Sequence, residues 1–270
     1  MKYLYVSLLS LLAAYLLVLI FIYFNQRNLL YHPGDNNYLD DKAQFSYKEV
    51  LIEVDQDIKL KSWLIDKDLE KYKTLVFFHG NAGNLFNRVH KLNEFNKLDI
   101  NILIISWRGF SGNSGKPTEK NLYQDAQKSI EWLNNKGIKN EKIILYGESL
   151  GTGVAVELGQ KNIFNSIILE SPFTSMVETA KIYYPYLPVS LLLKDRYNSI
   201  NKIDKITKQR LTATANIVNE LKPILAEYAD KNSISLIIQK KNIIIGKSNL
   251  DITTEILSLL DKKISKIKLN

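Results

Sequence analysis

The sequence predicts an α/β fold, a doubly wound and mostly parallel sheet that follows one N-terminal transmembrane helix. Three observations predict it: a long uncharged apolar run near the start, short apolar runs that alternate with helical periods, and a glycine-flanked serine directly after one of those runs. The chain has 270 residues, of which 46% are hydrophobic and 24% charged. This composition is typical of folded proteins and leaves room for an anchor and one or two domains.

The anchor is predicted over residues 1–26. The run Tyr3–Phe24 carries no charge and is long enough to cross about 30 Å of hydrocarbon. A cleaved signal peptide is the alternative, but no small-x-small site follows the run. Lys2 and the terminal amine precede the run and Arg27 follows it, which favours a single-pass membrane protein with its body on the periplasmic or outer face.

The next region alternates between strand and helix patterns. Strands are predicted at Glu49–Val54, Ile58–Ile65, Thr74–His79, Ile100–Ser106, Lys142–Gly147 and Ser166–Glu170. The first two form a hairpin, and the other four are expected as adjacent parallel strands because continuous apolar runs are typical of buried parallel sheets. Apolar residues at helical spacing between Leu122 and Leu133 predict a helix on this sheet.

A glycine-flanked serine provides the strongest functional motif. Gly147-Glu148-Ser149-Leu150-Gly151 has the G-x-S-x-G pattern and lies between a predicted strand and the helical run Val154–Leu158. A nucleophile elbow needs this context, because a sharp strand-to-helix turn exposes the serine and the glycines permit close approach. The motif predicts Ser149 as a nucleophile, with Gly147 and Gly151 as the elbow glycines.

Two further loops follow predicted strands. In this architecture the loop after the first parallel strand, here Phe78–Asn84, supplies one backbone N–H of an oxyanion hole, and the residue after the nucleophile supplies the other. These positions are Asn81 and Leu150, unless the loop is an ordinary glycine-rich turn. In the loop Trp107–Gly115, Arg108 either pairs with a substrate anion or, as we favour, holds the loop.

The general base is missing from its expected place. A serine nucleophile needs a neutral imidazole, and the order along the chain in this fold is serine, acid, histidine. The histidines are His32, His79 and His90, so none follows Ser149. His79 and Asp251 are the weak candidates for base and acid.

Several stretches resemble a known family: FFHGNAGN, WRGFSGNSGKPTE, YGESLGTGVAVEL, LESPFTS and the YHPG after the anchor. They are similar to membrane-anchored α/β-hydrolases of the bud-emergence-related and serine-aminopeptidase-like group, over about residues 1–203. The resemblance implies a serine hydrolase acting on ester, thioester or amide bonds, often of lipids. It also implies Ser149 as nucleophile and Asn81 and Leu150 at the oxyanion hole. The family's strand–acid and Gly-His stretches do not occur after Asn201, so residues 27–203 are expected to be a truncated α/β-hydrolase domain with impaired activity.

Residues 204–270 resemble a different protein family from residues 1–203. The pattern predicts a helix over Lys205–Asp230, strands Ile234–Gln239 and Asn242–Gly246, and a helix over Asp251–Lys263. The sequence SISLIIQKKNIIIGKSNLDITTEIL is similar to the C-terminal part of OmpH/Skp-type periplasmic chaperones. This resemblance implies a small α+β tail that can self-associate. The two partial resemblances meet near residues 201–206. A natural fusion or a joining of two reading frames explains this, and we favour the joining.

Composition narrows the function classes. The chain has no cysteine, which excludes disulfides and thiol catalysis. No metal cluster, phosphate loop or nucleic-acid motif occurs, so no metal, no cofactor and no nucleic acid are expected. The expected partners are a membrane and an acyl- or ester-type small molecule or lipid.

The alternatives to a serine hydrolase are a non-enzymatic, chaperone-like binding protein that works through the tail, or a non-functional chimera. The tail is expected to pack separately from the 74–170 core.

Overall fold

The computed structural model describes residues 1–34, 43–238 and 250–263. The chain divides into two compact units, Met1–Ile203 and Asp204–Asn270. The first unit holds an apolar helix and an α/β domain, and the described part of the second is mainly helical.

The elements alternate along the first unit. The helices are α1 (Lys2–Leu30), α2 (Val89–Phe95), α3 (Glu119–Asn134), α4 (Leu150–Gly159), α5 (Met176–Tyr183), α6 (Val189–Leu192), α7 (Ser199–Lys231) and α8 (Thr253–Lys263). The strands are β1 (His32–Pro33), β2 (Lys48–Asp55), β3 (Ile58–Ile65), β4 (Thr74–Phe78), β5 (Ala82–Gly83), β6 (Asn101–Ile105), β7 (Ile143–Glu148) and β8 (Ser166–Glu170).

The main sheet has six strands in the order β2-β3-β6-β4-β7-β8. The four strands from β6 to β8 in this order are parallel, as predicted, and β3 joins them antiparallel through β6. β2 and β3 form the predicted hairpin. Predicted and observed bounds differ by one residue at several strand ends, where the pairing ladder stops. The α/β fold class is therefore confirmed.

Helices cover both faces of the sheet, which explains why the central strands are apolar throughout. All five residues of β4 are buried, and so are all five of β6. Phe77 packs with Leu92 of α2 on one face. Phe78 belongs to the cluster on the other face, which includes residues of α3 and α4. Alternate side chains of one strand therefore enter two separate apolar clusters.

The first helix is apolar for most of its length. Among the described residues α1 alone is long and apolar enough to cross a membrane, judged by length and composition only. Its C-terminal end packs on the α/β domain. The Arg27 guanidinium donates two hydrogen bonds to the buried Asp195 carboxylate, at 3.0 and 3.2 Å. The Tyr31 hydroxyl donates to the same carboxylate at 3.1 Å.

The second unit differs in part from the prediction. The predicted helix Lys205–Asp230 lies inside α7, and α8 begins at Thr253 rather than Asp251. The predicted strand Ile234–Gln239 is wrong for the residues described, because 234–238 have no regular structure. A strand needs a partner for its hydrogen-bond ladder, and none of the described strands pairs with this segment. The predicted strand Asn242–Gly246 lies outside the described residues, and within them β8 forms one edge of the sheet.

Candidate active site

Ser149 occupies a strained turn between β7 and α4. Its φ of 50° and ψ of −113° lie in a region that residues with a side chain rarely adopt. The backbone around it holds this geometry: the Ser149 N–H donates to the Glu170 carbonyl at 2.9 Å, and the Thr152 N–H donates to the Ser149 carbonyl at 2.9 Å. The serine is exposed. A strand, a serine of positive φ and a helix in succession form the geometry that a nucleophile elbow requires.

The two glycines of the motif permit a close approach of helix and sheet. A Cβ on Gly151 would lie 1.9 Å from the Phe78 carbonyl oxygen, and a Cβ on Gly147 would lie 2.6 Å from the Gly151 carbonyl oxygen. Both distances are far inside van der Waals contact with backbone that cannot move aside. The G-x-S-x-G spacing therefore has a steric cause in this chain, since any side chain at either position would push α4 away from β4 and β7.

The loop after β4 lies beside Ser149. A Cβ on Gly80 would be 3.6 Å from the Ser149 Cβ. The segment after α1 holds this loop: the His32 N–H donates to the Asn81 carbonyl at 2.8 Å, and the Asn81 side-chain amide donates to the Leu30 carbonyl at 2.6 Å. β1 and β5 form a short parallel pair at the same place. This clamp holds the Asn81 backbone in place directly after Gly80.

Leu150 is the first residue of α4. The first N–H groups of a helix have no partner inside the helix and carry its partial positive charge. Ser149, Leu150 and Gly80 therefore lie together at the carboxyl ends of β4 and β7. Such a site can bind a negatively charged oxygen next to an exposed hydroxyl.

His79 is buried away from solvent and is a poor base. Its Nδ1 donates to the Gly80 carbonyl at 2.8 Å, which leaves Nε2 unprotonated, and Nε2 is buried without a hydrogen-bond partner in the described part of the chain. Burial, helped by the nearby Arg88, lowers the pKa of His79 to about 3. Its ring packs against Trp107 and Phe110. His79 is thus a neutral core residue behind the loop.

The other candidate residues lie in structural roles. The Asp251 carboxylate accepts hydrogen bonds from the N–H and hydroxyl of Thr253 at the start of α8, as a helix cap does. His90 is exposed on α2. Arg108 is buried and donates to the buried Asp125 carboxylate at 2.8 and 2.6 Å, which supports the loop-holding role and leaves its guanidinium inaccessible to a substrate anion.

A cluster of charges beside Ser149 was not predicted. The Glu148 carboxylate lies 3.4 Å from Arg88 Nε and 3.7 Å from Lys91 Nζ, and Lys91 also pairs with Glu170. The Tyr146 hydroxyl donates to Glu170 as well. The Lys91 ammonium lowers the pKa of Glu170, so this carboxylate is a weak proton acceptor. The cluster ties α2 to the ends of β7 and β8, and both carboxylates are occupied by cations.

No group of three histidine, cysteine or acidic side chains suited to a metal occurs among residues 1–34, 43–238 and 250–263. Within the second unit, a cleft between α7 and α8 is lined by Ile224, Tyr228, Leu259 and neighbouring polar residues.

Comparison with known proteins identifies the family. A family model described as the alpha/beta hydrolase fold matches residues 73–229, which is more than half of the chain. The chain belongs to the α/β-hydrolase family. The family match ends inside α7, beyond residue 203, where the tail was expected to begin.

Individual proteins are similar to this chain over most of its length. The chain is 32% identical over 192 residues to an uncharacterized protein of Mycobacterium tuberculosis, which covers 70% of this chain and 68% of that protein. It is 30% identical over 226 residues to protein bem46 of Schizosaccharomyces pombe, covering 78% and 76%. An alpha-beta hydrolase from Vibrio vulnificus superposes with a TM-score of 0.52 at 20% identity, covering 64% of this chain and 66% of that one, which supports the fold alone.

Proposed function

We propose that this chain is a membrane-anchored serine hydrolase domain acting on ester, thioester or amide bonds of small molecules or lipids. Ser149 is the nucleophile, and the N–H groups of Asn81 and Leu150 form the oxyanion hole. α1 is the single-span anchor, and the periplasmic or outer face remains the side we favour for the domain. No metal or cofactor takes part in this chemistry.

The observation that carries the proposal is the conformation of Ser149. A φ of 50° costs a residue with a side chain about 1–3 kcal/mol, and such strain clusters at functional sites. Ser149 combines this strain with exposure, a helix N-terminus and the neighbouring Gly80–Asn81 loop. An acyl carbonyl attacked by the serine would place its oxygen among backbone donors.

We further propose that the activity is impaired. None of the three histidines is suited to accept the serine proton: His79 is buried with a pKa of about 3, His90 is exposed on α2, and the His32 ring bonds to the Leu29 carbonyl. Glu148, directly before Ser149, and Glu170, its partner on the neighbouring strand, are paired with Arg88 and Lys91. Loss of the general base in a serine hydrolase reduces the rate by about 10⁴- to 10⁶-fold.

The test is labelling of the full chain in detergent micelles with a fluorophosphonate probe. We expect weak or no labelling, with any residual signal lost in Ser149→Ala. Ser171→Ala is the matched control, because Ser171 also follows a parallel strand, is exposed and has a φ of 52°. Robust labelling that Ser149→Ala abolishes would contradict the impairment and show that a base exists. Labelling that survives Ser149→Ala would contradict the nucleophile assignment.

A second candidate function is binding of unfolded proteins through residues 204–270, as the resemblance of this tail to OmpH/Skp-type chaperones implies. The cleft between α7 and α8 supports it, since Ile224 and Tyr228 offer an apolar contact there. Suppression of aggregation of an unfolded client protein, lost in Tyr228→Glu, would favour this function. If the purified chain leaves the aggregation of the client protein unchanged, the chaperone-like function is contradicted. The hydrolase proposal, or a chimera without function, would then remain.

A further inference from the structure

An exposed apolar segment runs from the last two residues of α5 to the residue after α6. Residues 182–193 contain no charge and are bounded by Lys181 and Lys194. Five large side chains of this segment are between 59% and 88% exposed: Ile182, Tyr183, Tyr184, Tyr186 and Leu191. We call these five residues the aromatic patch. Contiguous apolar surface of this kind is uncommon on a face that meets only water.

The aromatic patch lies directly beside α1. The Tyr15 hydroxyl donates to the Tyr186 carbonyl at 2.8 Å, and the Gln26 side-chain amide donates to the Leu192 carbonyl at 3.0 Å. Tyr15 lies nine residues before Phe24, or about 14 Å along a helix. A bilayer that covers α1 as far as Tyr15 therefore reaches Tyr186 as well.

The backbone of the segment is suited to an apolar environment. Pro185 and Pro188 have no N–H group to satisfy. Six N–H groups donate to nearby carbonyls, namely those of Tyr184, Leu187, Val189, Leu191, Leu192 and Leu193. The carbonyls of Tyr186 and Leu192 accept from α1 side chains. Backbone groups with internal partners lower the cost of contact with lipid.

The charges at the ends of the segment match a phospholipid surface. Lys194 lies with its ammonium 4.0 Å from the centre of the Tyr23 ring on α1, and Lys181 precedes Ile182. Lysine side chains reach toward phosphate groups while tyrosine rings prefer the interface between headgroups and acyl chains. Lys194 beside Tyr23 therefore marks the level at which α1 and the segment both meet the headgroups.

From these observations we propose that the aromatic patch inserts among the acyl chains of the same bilayer that holds α1, as a second point of attachment, with Lys194 beside Tyr23 at the level of the headgroups. The proposal rests on the membrane anchor in the proposed function. It adds that the segment after β8 attaches the domain to the membrane in addition to α1.

The absence of cysteine from the chain permits a direct test, since any introduced cysteine is unique. Tyr186→Cys, Leu191→Cys, Leu11→Cys and Lys136→Cys are each labelled with a nitrobenzoxadiazole fluorophore in full-length protein reconstituted into vesicles. Leu11 is exposed on α1, and Lys136 is exposed before the amino end of β7, away from the carboxyl ends of the strands. Far-UV circular dichroism checks that each variant is folded.

The vesicles contain phosphatidylcholine with some anionic lipid and a nitroxide on one acyl chain, near the headgroup end in one set of vesicles and near the methyl end in another. We expect quenching at positions 186 and 191 by at least one of the two nitroxides to exceed that at position 136 by at least about twofold, because a fluorophore among the acyl chains lies close to the nitroxide. Quenching at 11 but not at 186 or 191 would overturn the aromatic patch and leave the anchor intact. Quenching at 186 and 191 but not at 11 would support the patch and contradict the anchor. No quenching above position 136 anywhere would overturn both.

Discussion

At the scale of single residues, the candidate site combines strain and burial that the rest of the domain maintains. Ser149 keeps a positive φ because β8 accepts its N–H and α4 begins directly after it. His79, two positions before Asn81, is neutral and enclosed by aromatic rings. The first residue presents a hydroxyl to solvent, and the second supports the Gly80–Asn81 loop from behind.

The buried imidazole of His79 leads to a pH dependence. Its pKa is about 3 in the folded chain and about 6.5 in the unfolded chain, so below pH 6.5 the unfolded state binds a proton that the folded state does not. The free energy of unfolding should therefore fall as pH decreases from 6.5 toward 3, by on the order of 1 kcal/mol per pH unit from this group, and this contribution should be complete above 6.5. Urea unfolding in detergent at several pH values measures the slope.

His79→Asn should flatten that slope, because an asparagine amide can replace the Nδ1–H donor to Gly80 without titrating. His90→Asn serves as control, since His90 is exposed and its side chain meets water before and after unfolding. An unchanged slope in His79→Asn would mean that the buried imidazole does not govern acid stability.

At the scale of elements, the end of α1 supports the loop beside Ser149. Arg27 and Tyr31 bind Asp195, and the next residues pair with β5 through β1. The YHPG stretch therefore has a structural purpose: it carries the chain from the apolar helix onto the loop that contains Asn81. A helix attached in this way restrains the candidate site as well as the domain.

Asp195→Asn should loosen this attachment. The substitution removes the charge that Arg27 and Tyr31 share, at a cost of about 2 kcal/mol typical of hydrogen bonds to charged groups. We expect faster hydrogen exchange at the His32 amide, which bonds to the Asn81 carbonyl. Glu178→Gln is the control: it breaks only the exposed pair with Lys181 and should cost less than about 0.5 kcal/mol. Equal exchange in both variants would show that Asp195 does not hold the clamp.

At the scale of the whole molecule, the chain comprises two compact units of different character. The first has a sheet with an apolar cluster on each face. The second, in its described part, depends on contacts of two helices, with Ile224 of α7 and Ile256 of α8 buried. A unit with so few buried apolar side chains is expected to be less stable than the sheet domain.

Ile256→Ser tests whether the second unit folds by itself. Loss of this buried side chain should cost about 2–4 kcal/mol by analogy with other large-to-small core changes. If the units are independent, hydrogen exchange should accelerate in α8 and in the second-unit part of α7, while β4 and β7 keep their protection. Leu257→Ser is the control, because Leu257 is adjacent but exposed. Acceleration in β4 as well would show one cooperative unit and would contradict the separate tail.

The order of strands and helices and the glycine-flanked serine follow from local sequence. Apolar periodicity and turn residues act over a few positions, so the four parallel strands and the turn at Ser149 are predictable without the fold. The charge cluster of Glu148 and Glu170 with Arg88 and Lys91, the pairing of YHPG with the Asn81 loop, and the docking of α1 on Asp195 depended on the tertiary structure. The residues joined are between 49 positions apart, as for His32 and Asn81, and 168 positions apart, as for Arg27 and Asp195. Their contact depends on strand register and helix packing, which short-range patterns do not encode.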